Sequence, residues 1–203
     1  LRFLASRGIV ASAHPSVEEV EADAAEVWRR IGARDVSTLA DLPTMSDADD
    51  RATIDVLMEM YAPALFTDPN LSRLVISQMV NLGLERGTSD ASAFAYVWFG
   101  AFMGRSGDYA TAYRFGDLAG TLMVRRDQTR YRARVAMVLG HFIYTYTRPL
   151  QRAREQLERA VAYAQADGEP NFLVYSASHI VSNALAAGFS LEETERDLDA
   201  CAA

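Results

Sequence analysis

Apolar positions recur at helical spacing along most of this chain, and the interruptions fall on glycine, proline and short polar capping groups. Val17, Val20, Ala24, Val27, Trp28 and Ile31 form one such stripe. Ser16 precedes it, Glu19 stands three residues on, and Gly32 follows, so the spacing predicts a helix with a capping box that Gly32 closes. Ile54, Leu57, Met58 and Tyr61 predict a second helix capped by Ser46 and broken at Pro63, after a linker at 39–45 with a turn at Pro43. Further helices are predicted over 1–7, 71–85, 91–105, 108–126, 129–146, 150–166, 170–187 and from 191 onward. No stretch shows the alternation of a strand.

The turns recur. Leu71, Tyr109, Leu150 and Leu191, each the first apolar residue after a break, are separated by 38, 41 and 41 residues. A period near 40 with two helices per unit is the pattern of a solenoid, whose units bury their faces by stacking on one another. The expected fold is therefore all-α, an α-α superhelix of antiparallel helix pairs. Residues 1–45 would form a helical entry segment, with units at about 46–87, 91–126, 129–168 and 170–203 in one continuous array.

The run Tyr96, Gly100, Gly107-Asp108-Tyr109, Ala112 and Ala119 sharpens this picture. It resembles a tetratricopeptide repeat, in which small residues let two helices approach and the Gly-Asp-Tyr corner makes the turn. Gly116 stands where that family usually carries an aromatic, with Phe115 beside it. A second resemblance covers roughly 39–191 and is carried by Leu42-Pro43-Thr44-Met45-Ser46-Asp47, Pro63-Ala64-Leu65-Phe66, Gly107-Asp108-Tyr109, Tyr113-Arg114-Phe115-Gly116 and Pro149-Leu150. These look like the helical-repeat region that follows a STAND/AAA-type ATPase domain in large bacterial Ser/Thr kinase or hybrid histidine kinase signalling proteins. The resemblance implies an internal regulatory segment of such a multidomain protein.

Composition narrows the function classes. The net charge is −7, which disfavours a nucleic-acid partner held by the overall field. The longest uncharged apolar stretches, 91–104 and 135–147, fall short of the roughly 18–20 residues that span a bilayer. One cysteine, Cys201, allows neither an internal disulfide nor a cysteine-based zinc site, and the cytoplasm is the expected compartment. All 20 basic residues are arginine, so no lysine is present to complete a phosphate-binding loop, and no nucleotide cofactor is expected.

The candidate chemistry is correspondingly sparse. Asp47-Ala48-Asp49-Asp50 matches the DxDD proton donor of class II terpene cyclases, but three carboxylates at the positive end of a helix behind Ser46 read as a cap. His14, His141 and His179 are far apart, and the last two fall in apolar helices, where a hydrogen-bonded core role is expected. No metal site and no catalytic residue is assigned. The candidate partner-binding residues are the aromatics Phe94, Phe142, Tyr146 and Tyr175, together with Arg105 and the basic cluster Arg125, Arg126 and Arg130. The expected function is a non-catalytic interaction or coupling module whose partner is a protein or a flanking domain of the same chain, with homo-oligomers through exposed end units as a further option. The alternative is an all-α enzyme or small-ligand receptor with a pocket between helices.

Overall fold

The Ser16 capping box forms as its sequence requires. The Ser16 hydroxyl accepts from the Glu19 amide at 3.2 Å, while the Ser16 amide donates to the Glu19 carboxylate at 2.7 Å. In this computed structural model, which describes residues 2–9, 12–125 and 130–202, that cap opens α2 (Val17–Ile31), preceded by the short α1 (Arg2–Ser6). Glu18 and Glu19 sit in the first turn of α2 and Arg29 and Arg30 in the last, each sign at the helix end that favours it.

Two boundaries differ from expectation nearby. Asp47, not Ser46, caps α3 (Ala48–Thr67): its carboxylate accepts from the Asp49 and Asp50 amides, both at 2.9 Å. A carboxylate is the stronger acceptor for such amides, and Arg7 from beyond α1 pairs with Asp49 and Asp50 at 3.1 Å each. The acidic run is thus a cap and a docking point for the chain's first helix. Pro63 does not end α3, which continues to Thr67. Proline removes one helical hydrogen bond, and here the final turn still buries Ala64 and is closed by the Asp68 amide donating to the Ala64 carbonyl at 2.9 Å.

The predicted linker is structured. A 3-10 helix covers Val36–Asp41 and buries Val36, Leu39 and Ala40. The chain is then pinned to a distant turn: the Met45 amide donates to the Thr88 carbonyl and the Thr88 amide to the Pro43 carbonyl, both at 2.8 Å. Gly87 makes this possible. Its φ is +103°, and a Cβ there would lie 2.4 Å from the Pro43 carbonyl oxygen.

The remainder is a succession of helix pairs: α3 with α4 (Pro69–Arg86), α5 (Ser92–Arg105) with α6 (Tyr109–Arg125), then α7 (Arg132–Val138) with α9 (Leu150–Asp167), and α10 (Pro170–Ala186) with α11 (Leu191–Ala202). The fold is all-α, and no strand occurs among the described residues. Each helix packs chiefly on those nearest in the chain, and α2 covers α4. Tyr109, Leu150 and Leu191 are the first residues of α6, α9 and α11, and Leu71 lies in the first turn of α4. The recurrent spacing thus marks where the second helix of each pair begins.

Small residues set the closest approaches. A Cβ on Gly100 would stand 2.9 Å from the Phe115 Cβ and 3.0 Å from the Ala112 carbonyl oxygen. Gly140, 40 residues later, meets Leu157 and the Ala153 carbonyl in the same way, at 2.9 and 3.1 Å. Ala112 at the first of these contacts and Ala119 two turns further along α6 are buried, and Gly107 turns the corner between α5 and α6 at φ +93°, with Asp108 accepting from the Thr111 amide.

The helix expected at 129–146 begins at Arg132 (Thr129 lies outside the described residues) and is not uniform. Leu139–Tyr144 form a π-helical turn, after which the short α8 (Thr145–Thr147) resumes. Such turns insert one residue into a helix. The Gly140 carbonyl accepts from the Thr145 amide in the π pattern and also from the Thr145 hydroxyl, the latter at 3.0 Å.

Candidate functional site: an aromatic groove

The first helices of the four pairs converge on one groove of about 360 Å³. Every residue lining it comes from α3, α5, α7 with its π turn, or α10. Tyr61 and Phe94 meet edge to face with ring centroids 5.2 Å apart. Tyr61 lies 5.2 Å from Trp98, and Trp98 lies 5.1 Å from Phe142. Across from them Phe172 and Tyr175 meet at 5.8 Å, nearly perpendicular. Edge-to-face and tilted pairs of this kind suit the ring quadrupole and stiffen the wall.

The mouth is apolar as well. Phe66 is 75% exposed at the end of α3, and Tyr175 is 40% exposed on α10. Arg134 closes one side: it donates to Glu169 at 2.9 Å and holds its guanidinium 5.0 Å from the Phe172 ring centre. Paired in this way, it contributes a flat hydrocarbon-and-guanidinium surface rather than an open charge.

Polar atoms without partners lie in and behind these walls. The Tyr61 hydroxyl and the Trp98 indole nitrogen are buried and make no hydrogen bond. Burial pushes the Tyr61 phenol pKa upward, with the positive charge of Arg105 opposing that shift. His141 and His179 do not find the hydrogen-bonded core role expected of them. Their rings stack at 3.5 Å and 11°, and the buried Nδ1 of His141 has no partner. Desolvation pulls both imidazoles down, His179 to about 4 with the facing His141 as a second cause. Near neutral pH this pair is uncharged, so the groove wall that His179 contributes is uncharged too.

The sequence-predicted binding residues divide. Phe94, Phe142 and Tyr175 come together in the groove. Tyr146 does not: it stacks on Tyr109 at 6.1 Å, away from the groove. Arg105 lies in an adjoining cleft with Arg73. Arg130 pairs with Asp55 at 3.2 Å and sits over the Tyr131 ring. The Arg125 side chain and Arg126 fall outside the described residues. Tyr61, Trp98 and Phe172 are groove residues that the chain's pattern does not mark as binding residues, and His179, read as a core histidine, is another. Tyr61 belongs to a helical stripe that reads equally well as core, and Phe172 carries no signal beyond its place after Pro170.

Among the described residues no helix is long and apolar enough to cross a membrane, and no three His, Cys, Asp or Glu side chains gather as a metal site. No family model, curated protein or solved structure matches this chain.

Proposed function

We propose that this chain is a non-catalytic helical-repeat module that holds an apolar segment of a protein partner, or of a flanking domain of its own chain, in the aromatic groove. The observation that carries this reading is the origin of the groove: its walls come only from the first helices of four successive pairs. That is the placement of the concave recognition face in arrays of stacked helix pairs. An aromatic lining with an exposed apolar rim is also the composition of an interface centre, where aromatic anchors exclude water. A segment bound across four pairs would hold their relative positions, which gives the module a means of passing a conformational signal between domains on either side. The resemblance to the repeat region of multidomain bacterial kinases supports the same role in the cytoplasm.

A small-ligand receptor is the second reading, favoured by the unpartnered Tyr61 hydroxyl and Trp98 nitrogen. The two part in one experiment. Tyr175→Arg at the exposed rim should abolish recovery of a specific protein partner, identified by mass spectrometry and confirmed with purified components. Undiminished binding of that partner by the variant would remove the groove from the account.

A further inference from the structure

Arg73 and Arg105 line a cleft of about 480 Å³ beside the groove, and neither makes an ion pair or a side-chain hydrogen bond among the described residues. Arg105 is exposed, whereas Arg73 is half-buried. A guanidinium in that position gives up hydration without recovering a carboxylate, in a chain where acidic residues outnumber basic ones by 27 to 20. Several of its other arginines pair with acids, among them Arg132 with Asp167 at 2.6 Å and Arg154 with Asp197 at 2.6 Å. Arg73 and Arg105 are therefore a local reserve of positive charge on an acidic protein.

The cleft and the groove adjoin. Leu65 lines both. Trp98, Phe102 and Arg105 follow one another on α5 at spacings of four and three, so they run down a single helix face. Trp98 belongs to the groove and Phe102 to the cleft, and their rings are 5.8 Å apart. The charge of Arg105 is felt by Tyr61 on the groove wall, which places the two compartments within electrostatic reach.

We infer that the occupant of the groove is an acidic amphipathic protein segment, with aromatic or aliphatic anchors in the groove and one or two carboxylates on Arg73 and Arg105. This rests on the groove reading above and adds the chemistry of the partner. Arginine suits the task because its planar fork takes a carboxylate through two parallel hydrogen bonds. Trp98 and Arg105, seven residues apart on α5, stand about two helical turns from each other, and the partner's apolar anchor and acidic residue would be separated by a similar distance. A basic amphipathic segment would meet two unpaired arginines and be rejected, so the same pair provides selectivity against the wrong partner.

A phage-displayed library of random linear peptides, selected on the whole chain, tests this by letting the groove choose its own ligand. Enriched peptides should combine aromatic or aliphatic residues with Asp or Glu. Their affinity should fall about tenfold in Arg73→Glu and in Arg105→Glu, and it should weaken with added salt. Both variants change cleft-lining side chains, and unchanged circular dichroism and melting would certify their folds. Enriched peptides that are apolar without acidic bias, and indifferent to both reversals, would overturn this inference while leaving the groove reading intact. Enrichment indifferent to Tyr175→Arg, or no enrichment at all, would overturn both.

Discussion

Gly100 offers the sharpest test of the packing. An added Cβ would meet the Phe115 Cβ at 2.9 Å and the Ala112 carbonyl oxygen at 3.0 Å, with the Ile143 Cδ1 at 3.4 Å. Neither of the two nearest atoms is the free end of a side chain, so relief requires α5 and α6 to separate. Forcing a methyl group into such a contact costs about 1–3 kcal/mol. Against this, alanine gains roughly 1 kcal/mol over glycine in a helix interior. The net for Gly100→Ala is a loss of about 1 kcal/mol, which for a chain of this size lowers the melting temperature by about 2–4 °C. Gly120 supplies the control within the same pair. A Cβ there meets only Leu139 at 3.9 Å, an ordinary contact, so Gly120→Ala should keep the propensity gain and melt higher than wild type. Differential scanning calorimetry of the two variants reads the difference directly. If Gly100→Ala matches or exceeds Gly120→Ala in stability, the helices do not approach as described and the small-residue argument fails.

Other predictions follow from local geometry. Gly107→Ala should lose about 1 kcal/mol by urea unfolding although nothing lies near the added methyl, because φ is +93° there; an unchanged midpoint would mean that the corner adopts another conformation. His179 has a folded pKa of about 4, below its ordinary 6.5, so between those values the unfolded chain takes a proton that the folded chain refuses. Its contribution to stability is present above 6.5 and is lost as the pH falls toward 4, a change on the order of 1 kcal/mol for a half-buried ring. His179→Gln should flatten that window, and an unaltered pH profile would contradict the stacked, neutral pair.

Much of this architecture is written in local signals. Ser16 with Glu19 and the glycines at 32 and 107 act through their immediate neighbours, and the small residues around Gly100 act on the helix that follows in the chain. The failures arise where distant contacts decide. Pro63 reads as a break, but the turn beyond it is retained by the burial of Ala64. Residues 39–45 read as a linker, yet Thr88, more than forty positions away, fixes them in place. The groove is half legible. Phe94, Phe142 and Tyr175 stand out as aromatics on first helices, but a helical stripe alone does not tell a groove wall from a core. Phe142 and Tyr146, four apart, would share a face in an α-helix. The π turn between them alters that register, and Tyr146 joins Tyr109 on a different side. Neither the stacking of His141 on His179 nor the joining of Arg73 to Arg105 could be read from positions 38 and 32 residues apart.

The claim that the groove is the recognition face is tested most directly by photo-crosslinking in the source cells, with the native protein carrying a benzoylphenylalanine at Phe66, at Tyr175 or, as a control, at Val124, which is 83% exposed and lines none of the groove. The first two positions should capture the same protein segment, apolar and acidic, whether from another chain or from a flanking domain, and Val124 should not. Equal capture from all three positions, or none from Phe66 and Tyr175, would contradict that claim.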